Sequence, residues 1–271
     1  MGTTRERSPT IELTHGTEAV ETAPSVVESV ERIERKFFIP PQKSALAYIL
    51  LRQVCRADRQ YPAGQINTLY FDSLDLDQHN RSASGDFRKD KVRIRWYDRL
   101  EDYQGEVPVF LEVKTRRGFA SSKKRQGFAV PVQKLETANL GAGIIDRARL
   151  VETLARLGHY PEKPLRPVIV ISYWRYRFTE MFTGVRVSFD SNIRSTMVAR
   201  DLGTRERDLP LRGGVIEVKG PSFELPPALR HMKMLDIDWS RFSKYSHSID
   251  AHLLHPGIPG RLWPPGRVVQ R

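Results

Sequence analysis

The chain has 271 residues, 39% of them hydrophobic and 28% charged, which supports a substantial buried core and excludes wholesale disorder. Its 44 Lys+Arg against 32 Asp+Glu give a formal net charge of +12, which favours an anionic partner: nucleic acid, an anionic membrane or a phosphorylated small molecule. The single cysteine, Cys55, excludes an intrachain disulfide and any CxxC metal or redox motif, and reads as a core thiol in a reducing compartment.

Residues 1–30 are rich in Thr, Ser and Glu and carry two arginines against five glutamates. They are expected to form a disordered acidic tail. Period-two alternation then marks a strand at 32–38, with Arg32, Glu34 and Lys36 opposite Ile33, Arg35 and Phe37. A helix is expected after Pro40-Pro41, with Leu46, Ile49, Leu50 and Val54 on its apolar face. Segment 65–71 is β-rich and ends in Asp72-Ser73. Segment 91–97 sets Lys91, Arg93, Arg95 and Tyr97 opposite Val92, Ile94 and Trp96. Segment 109–116 sets Glu112, Lys114 and Arg116 opposite Leu111, Val113 and Thr115, and 125–132 reads as a further strand. Lys123-Lys-Arg125 fits either a solvated loop or a basic guide at a cavity mouth.

A second helix is expected at 145–157, with Leu150, Leu154 and Leu157 on one face and Gly158 as its stop. Strands follow at 168–178, 185–190 and 214–219. Their polar faces carry Tyr173, Arg175 and Arg177, then Arg186, Ser188 and Asp190, then Glu217 and Lys219. A third helix is expected after Pro226-Pro227, with Leu229, Met232 and Leu235 inward. Residues 256–271 hold four prolines and three glycines and read as an irregular tail. The two tails cancel in charge, so the body, 31–255, carries the whole excess. The histidines show no metal-ligand spacing and are expected at the surface or at caps. No apolar run reaches the ~18 residues of a membrane span, and the N-terminus lacks a signal-peptide region. The expectation is a soluble cytoplasmic protein without an integral membrane segment.

The polar strand faces carry eleven bases against four acids. One strand alone would fit a solvated sheet face. Across many strands that reading weakens, because like charges set side by side cost energy unless an anion lies between them. The other reading inverts the sheet: apolar faces pack outward against helices and charged faces line a lumen. Such a lumen needs a polyanion, and the planar fork of arginine suits phosphate oxygens. Glu34, Glu112 and Glu217 make sense there if Mn²⁺ or Mg²⁺ bridges carboxylate and phosphate. Phe110-Leu-Glu-Val-Lys114 is echoed by Val215-Ile-Glu-Val-Lys219, and two similar halves facing one another would suit a closed barrel. Nucleic acid is disfavoured, since no recognition motif is present and no aromatics interleave with bases on an open surface.

Eight short stretches, in order, then resemble one family. They are Arg32-Ile-Glu-Arg-Lys36, Leu69-Tyr-Phe-Asp72, Lys91-Val-Arg-Ile-Arg-Trp-Tyr97, Phe110-Leu-Glu-Val-Lys114, Tyr173-Trp-Arg175, Val185-Arg-Val-Ser-Phe-Asp190, Val215-Ile-Glu-Val-Lys219 and Phe242-Ser-Lys-Tyr-Ser246. The body resembles the vacuolar transporter chaperone (VTC) polyphosphate polymerase domain of the triphosphate tunnel metalloenzyme (CYTH-like) superfamily. The resemblance implies an α+β fold: an eight-stranded antiparallel closed tunnel barrel with a polar basic lumen and a few covering helices. It implies transfer of the γ-phosphate of ATP to a polyphosphate chain with Mn²⁺ or Mg²⁺. It assigns Lys36, Arg93, Arg95, Lys114, Arg175, Arg186 and Lys244 to the catalytic bases. Arg81, Tyr173, Lys219, Arg241 and Ser243 become phosphate contacts, with Arg88 competing for the place of Arg81. Glu217, with Glu34 or Glu112, becomes the metal site. Arg32 stands where related hydrolases carry the first Glu of Glu-x-Glu-x-Lys, which disfavours a simple triphosphatase or cyclase. A membrane-protein partner is a further expectation, and the oligomeric state is open. The alternatives are a triphosphate or polyphosphate hydrolase on the same scaffold, or a non-catalytic polyanion binder.

Overall fold

The computed structural model describes residues 33–254, apart from 119, 203–207, 223, 236, 238 and 241. The two expected tails, Arg32 and Arg241 lie outside the described residues. Eleven strands form one antiparallel sheet. They are β1 (Ile33–Ile39), β2 (Cys55–Ala57), β3 (Ala63–Asp72), β4 (Arg88–Tyr97), β5 (Glu106–Arg117) and β6 (Ala120–Pro131). Then come β7 (Arg166–Glu180), β8 (Arg186–Met197), β9 (Asp208–Leu211), β10 (Gly214–Gly220) and β11 (Trp239–Ser240). Each of the eight expected strand segments overlaps an observed strand; 125–132 and 185–190 overrun β6 and β8 by one residue, and residue 32 is not described. The main order is β11-β1-β10-β8-β7-β3-β4-β5-β6, with β2 beside β7 and β9 beside β8.

The sheet is not a closed barrel. Among the described residues β6 pairs only with β5, and β1 pairs with β10 and β11, so no ladder joins the two ends. The exposed edges are protected by other means. The two-residue strand β11 covers part of β1, and β6 carries Lys123-Lys-Arg125 along its free side. A run of bases on an edge strand discourages further pairing. The sheet nevertheless curls deeply. Five strands separate β1 from β5 in the order, about 29 Å across a flat sheet. Yet Lys114 Nζ on β5 donates to Glu34 Oε2 on β1 at 3.0 Å. The result is an open trough whose walls face each other.

The inversion expected from the charge pattern holds. Val92, Ile94, Trp96, Leu111 and Val113 are buried on the outer side, in one cluster with Leu150, Leu154 and Leu157. The last three come from α3 (Arg147–Arg156) and the turn after it. Asp146 caps α3 by accepting from Arg149 N, and Gly158, at φ +72°, ends it. Phe37, Ile39, Ile216 and Val218 pack on α1 (Ser44–Val54) and on a 3₁₀ turn, Pro227–Leu235, which replaces the third expected helix. That turn still buries Leu229, Met232 and Leu235. Helix α1 is rotated from its expected face: Leu50 and Val54 still pack on the core, but Leu46 and Ile49 do not. Ala47 and Leu51 are buried, while Leu46 and Ile49 are exposed. Strand β2 follows the helix directly and pairs with β7, so the helix cannot rotate independently of that ladder. Cys55 is buried, and burial with Glu180 nearby pushes its thiol up to about 12.

Two helices carry no sequence-level expectation: α2 (Asp77–Ala83) and α4 (Lys244–Leu254). Both depend on Asp72 at the end of β3. Its carboxylate accepts from the backbone N–H of Ser73, Gln78 and His79, which anchors α2. It also accepts from the Tyr245 hydroxyl at 2.5 Å, which anchors α4. Tyr245 stacks on Tyr70, with ring centroids 4.8 Å apart. His79 is buried here rather than at the surface, with Nε2 3.3 Å from Asp250 of α4. His252 is buried as well and meets Ser195 Oγ at 3.0 Å. Removing the Tyr245 hydroxyl leaves a buried carboxylate one donor short. Tyr245→Phe is expected to lower stability by about 1.5–3 kcal/mol, read from urea unfolding midpoints.

Candidate functional site

The inner face of the trough encloses a cavity of about 1280 Å³. Among the described residues, ten lysines and arginines line it against four carboxylates. Strand alternation places most of them. On β4, Lys89, Lys91, Arg93 and Arg95 share one face, and the register sets Lys91 opposite Lys114 and Lys89 opposite Arg116 on β5. Across the trough, Glu34 and Lys36 of β1 lie opposite Lys219 and Glu217 of β10. Arg175 and Tyr173 enter from β7, and Ser243, Lys244 and Tyr245 from the start of α4.

The charges fall into two kinds. The first kind is tightly paired. Asp190, fully buried, receives Arg175 through both Nε (2.6 Å) and Nη2 (2.7 Å), and Lys244 as well. Burial works against this carboxylate, but Arg175 and Lys244 prevail and hold it far below the usual range. Glu112, also fully buried, receives Arg93 at 2.7 and 2.8 Å and Lys123 at 3.3 Å, with Arg95 3.8 Å away. It too is held ionised against burial by Arg93, Arg95 and Lys123. Two-pronged arginine pairs of this kind fix side-chain geometry.

The second kind is crowded and under-compensated. Glu34 is shared by Lys114 (3.0 Å), Lys219 (3.6 Å) and Lys36 (3.9 Å). Burial would raise its pKa, yet the three lysines hold it well below normal. Glu217 sees Arg175 at 3.2 Å, Lys219 at 3.7 Å and Lys36 at 4.0 Å. The lysines respond in the opposite sense. Burial drives Lys36 down to about 7; Glu34 opposes this, while Lys114, Lys244 and Lys219 add to it. Burial and then Lys36, Lys114, Arg93 and Lys89 push Lys91 well below the ordinary lysine range. Lys91 donates to a hydroxyl, Ser243 Oγ, at 2.7 Å. Lys114 and Lys219 are likewise lowered, by burial first. Tyr173 would be raised by burial, but Arg175 and Arg95 lower its phenol. Lys244 lies over its ring, 4.8 Å from the centroid.

The structure therefore brings together Lys36, Arg93, Arg95, Lys114, Arg175, Lys244, Tyr173, Lys219, Ser243, Glu34 and Glu217 around one cavity. Glu112 stands behind Arg93 and Arg95, in the wall. Two expected residues sit elsewhere. Arg81, on α2, is exposed and pairs with Glu162 at 3.0 Å. Arg186 shares the inner face, opposite Lys219, but is exposed and outside the cavity lining. Arg88 is exposed too and pairs with Asp90. Lys89, Lys91 and the stretch Ser82–Phe87, from the end of α2 into the following turn, line the cavity without having been assigned a role from the sequence. Extending the period-two pattern of 91–97 back to residue 87 would have found Lys89 and Phe87.

The metal expectation can be tested on the donors. Among the described residues no three acidic, His or Cys side chains gather into one cluster. Glu34 and Glu217 both line the cavity and share Lys36 and Lys219 as partners. One or two carboxylates, completed by substrate phosphates and water, is the donor set Mg²⁺ commonly takes. The pair fits such an ion.

A curled antiparallel sheet with a deep basic cavity on its inner face is thus the class of protein this geometry defines. The chain belongs to the VTC domain family, whose sequence model matches residues 31–253. Among solved structures, it is similar to a Hippeastrum protein named as an adenylyl cyclase, with a dominant triphosphatase activity. The two share 17% identity over 83% of this chain and 99% of that one, with a TM-score of 0.46. A Bacillus halodurans protein named as an adenylate cyclase shares 15% identity over 79% of this chain and 96% of that one, with a TM-score of 0.45. No curated protein matches the chain. Among the described residues, no helix is long and apolar enough to cross a membrane.

The lysine cluster links pH to stability. The folded pKa values of Lys36 and Lys91 lie below those of the unfolded chain. From about pH 7 up to the ordinary lysine range, the unfolded chain therefore binds more protons, and stability rises with pH. Lys91→Met removes one contributor. It is expected to raise the urea midpoint at pH 7 and to shrink the gain between pH 7 and pH 9, while weakening tripolyphosphate binding.

Proposed function

We propose that the cavity is the active site of a metal-dependent polyphosphate polymerase, which transfers the γ-phosphate of ATP to a polyphosphate chain. The observation that carries this reading is the lysine cluster. Lys36, Lys91, Lys114 and Lys219 face one cavity with too few carboxylates to neutralise them. A chain of phosphates would bridge them and relieve their repulsion. Membership of the VTC domain family supports the same substrate class.

Phosphoryl transfer needs positioning and charge neutralisation more than covalent help. Arg175 and Arg93 are held in fixed orientation by Asp190 and Glu112, so their remaining donors are preorganised for phosphate oxygens. Arg95, more loosely held, adds a further fork beside them. Lys36, Lys114 and Lys244 stabilise charge on the moving phosphoryl group. A divalent ion on Glu34 and Glu217 would supply charge neutralisation at the phosphate oxygens. The acceptor is itself an anionic phosphate, so no general base is required. Arg186 is kept as an outer phosphate contact and Arg241, outside the described residues, as a phosphate contact, while Arg81, tied to Glu162, is left without a role.

Incubation with ATP and Mn²⁺, followed by gel analysis, is expected to show polyphosphate ladders. Arg95→Ala and Glu217→Gln should each reduce the yield at least tenfold, a loss of about 1.4 kcal/mol or more of transition-state stabilisation. Free phosphate without polymer would identify a hydrolase instead. Wild-type yield from both variants would sink the assignment of the site.

A further inference from the structure

Phe87 contributes its side chain to no core cluster among the described residues, yet that side chain has a defined neighbour. It lines the cavity and is 74% exposed. Among the described residues it is the only exposed large hydrophobic side chain in that lining. Other exposed apolar groups, such as Leu46, Tyr160 and Phe182, lie off the cavity.

Local structure fixes its ring. Gly118 follows β5 at φ +57°, and its N–H donates to the Phe87 carbonyl at 2.9 Å. A Cβ on Gly118 would come within 2.8 Å of the Phe87 ring. The ring therefore lies over a residue that must lack a side chain. One side is supported by backbone while the side chain as a whole stays open to solvent. An aromatic residue left exposed in this way buries little apolar surface in the free protein.

The surroundings supply the second half of the argument. Phe87 stands immediately before β4 and lines the same cavity as Lys89, Lys91 and Arg93 of that strand. Along β4, strand rise sets Lys91 about 7 Å and Arg93 about 13 Å beyond Lys89. Lys89 and Arg116, paired across β4 and β5, stand just inside the ring. Phosphates drawn to these bases would run inward and leave whatever group they carry at the mouth. A flat aromatic ring at the mouth of a phosphate channel suits a flat aromatic group.

We propose that Phe87 is the platform on which the base of a bound nucleoside triphosphate stacks. It is then the residue that lets the cavity distinguish a nucleotide from a bare phosphate chain. This rests on the phosphate-binding reading of the cavity. Stacking accepts any base, because every base presents a π-face, so ATP and GTP should be held alike.

The test is calorimetric titration of the full chain with ATP and with inorganic tripolyphosphate, at constant Mn²⁺. The variants are Phe87→Ala and Phe87→Trp, each with its melting temperature checked against wild type. Phe87→Ala is expected to weaken ATP about tenfold and leave tripolyphosphate unchanged. Phe87→Trp is expected to keep ATP at or above wild-type affinity. Unchanged ATP binding in Phe87→Ala, or an equal loss for both ligands, overturns the proposal. If wild type binds tripolyphosphate but not ATP, the platform is refuted while the phosphate-channel reading stands. If wild type binds neither, that reading falls and the platform with it.

Discussion

Three lysines from three strands converge on one carboxylate, Glu34, and much of the site follows from that meeting. Lys36 comes from the same strand, Lys219 from the neighbouring β10 and Lys114 from β5 on the far wall. The contact with Lys114 brings opposite walls of the trough together without a hydrogen-bonded seam. Glu217 shares Lys36 and Lys219 with Glu34, but two carboxylates still fall short of three lysines and Arg175. The hub is therefore both a clasp between the walls and a centre of unrelieved positive charge. Such a centre would destabilise an ordinary core, since buried like charges are costly. It persists here because the apolar packing that stabilises the sheet is on its other side.

That separation of duties is visible strand by strand. Val92, Ile94 and Trp96 of β4 meet α3, while Lys91, Arg93 and Arg95 of the same strand meet the cavity. The outer clusters supply stability and the inner face is left free to carry strain. Proteins commonly place locally unfavourable groups where function needs them and offset the cost elsewhere. A sheet inverted in this way also explains why its charged face is so one-sided. It is shaped by what must enter the trough, not by the mixed-sign solubility needs of an outer surface.

Alternation made the main strands legible, because seven or more residues give it room to register. β2, β9 and β11, with three, four and two residues, are too short for that. Helix α2 reads Asp-Gln-His-Asn-Arg-Ser-Ala and has no apolar face; it exists because Asp72 holds its first turn. Helix α4 buries Ser246, Ser248 and His252 along with Ile249, so polarity hides its inner face. Closure was beyond the sequence for another reason. Whether the end strands meet is decided by edges, and two residues of β11 take part of an edge that no hydropathy pattern marks. Individual site residues were legible where strand register fixes them, as with Arg93 and Lys114. Arg81 was not, because its place depends on the tilt of α2 and on Glu162 from a distant loop.

The inner charges divide by rigidity as much as by sign. Arg175 and Arg93 are tied to fully buried acids, and an arginine so tied keeps its direction when a ligand arrives. The lysines around Glu34 are different. Their flexible stems end in point charges, and burial has already loosened their hold on protons. A phosphate chain entering the trough would meet fixed forks and adaptable ammonium groups side by side. The forks can hold a reacting phosphate in line, which demands geometry. The lysines can follow a chain that slides by one unit each turn, which demands tolerance. A site made only of paired arginines would grip a single triphosphate, and one made only of lysines would bind polyanions without aligning them. A site that carries both suits the proposed function, in which a polyphosphate chain is held and then advanced.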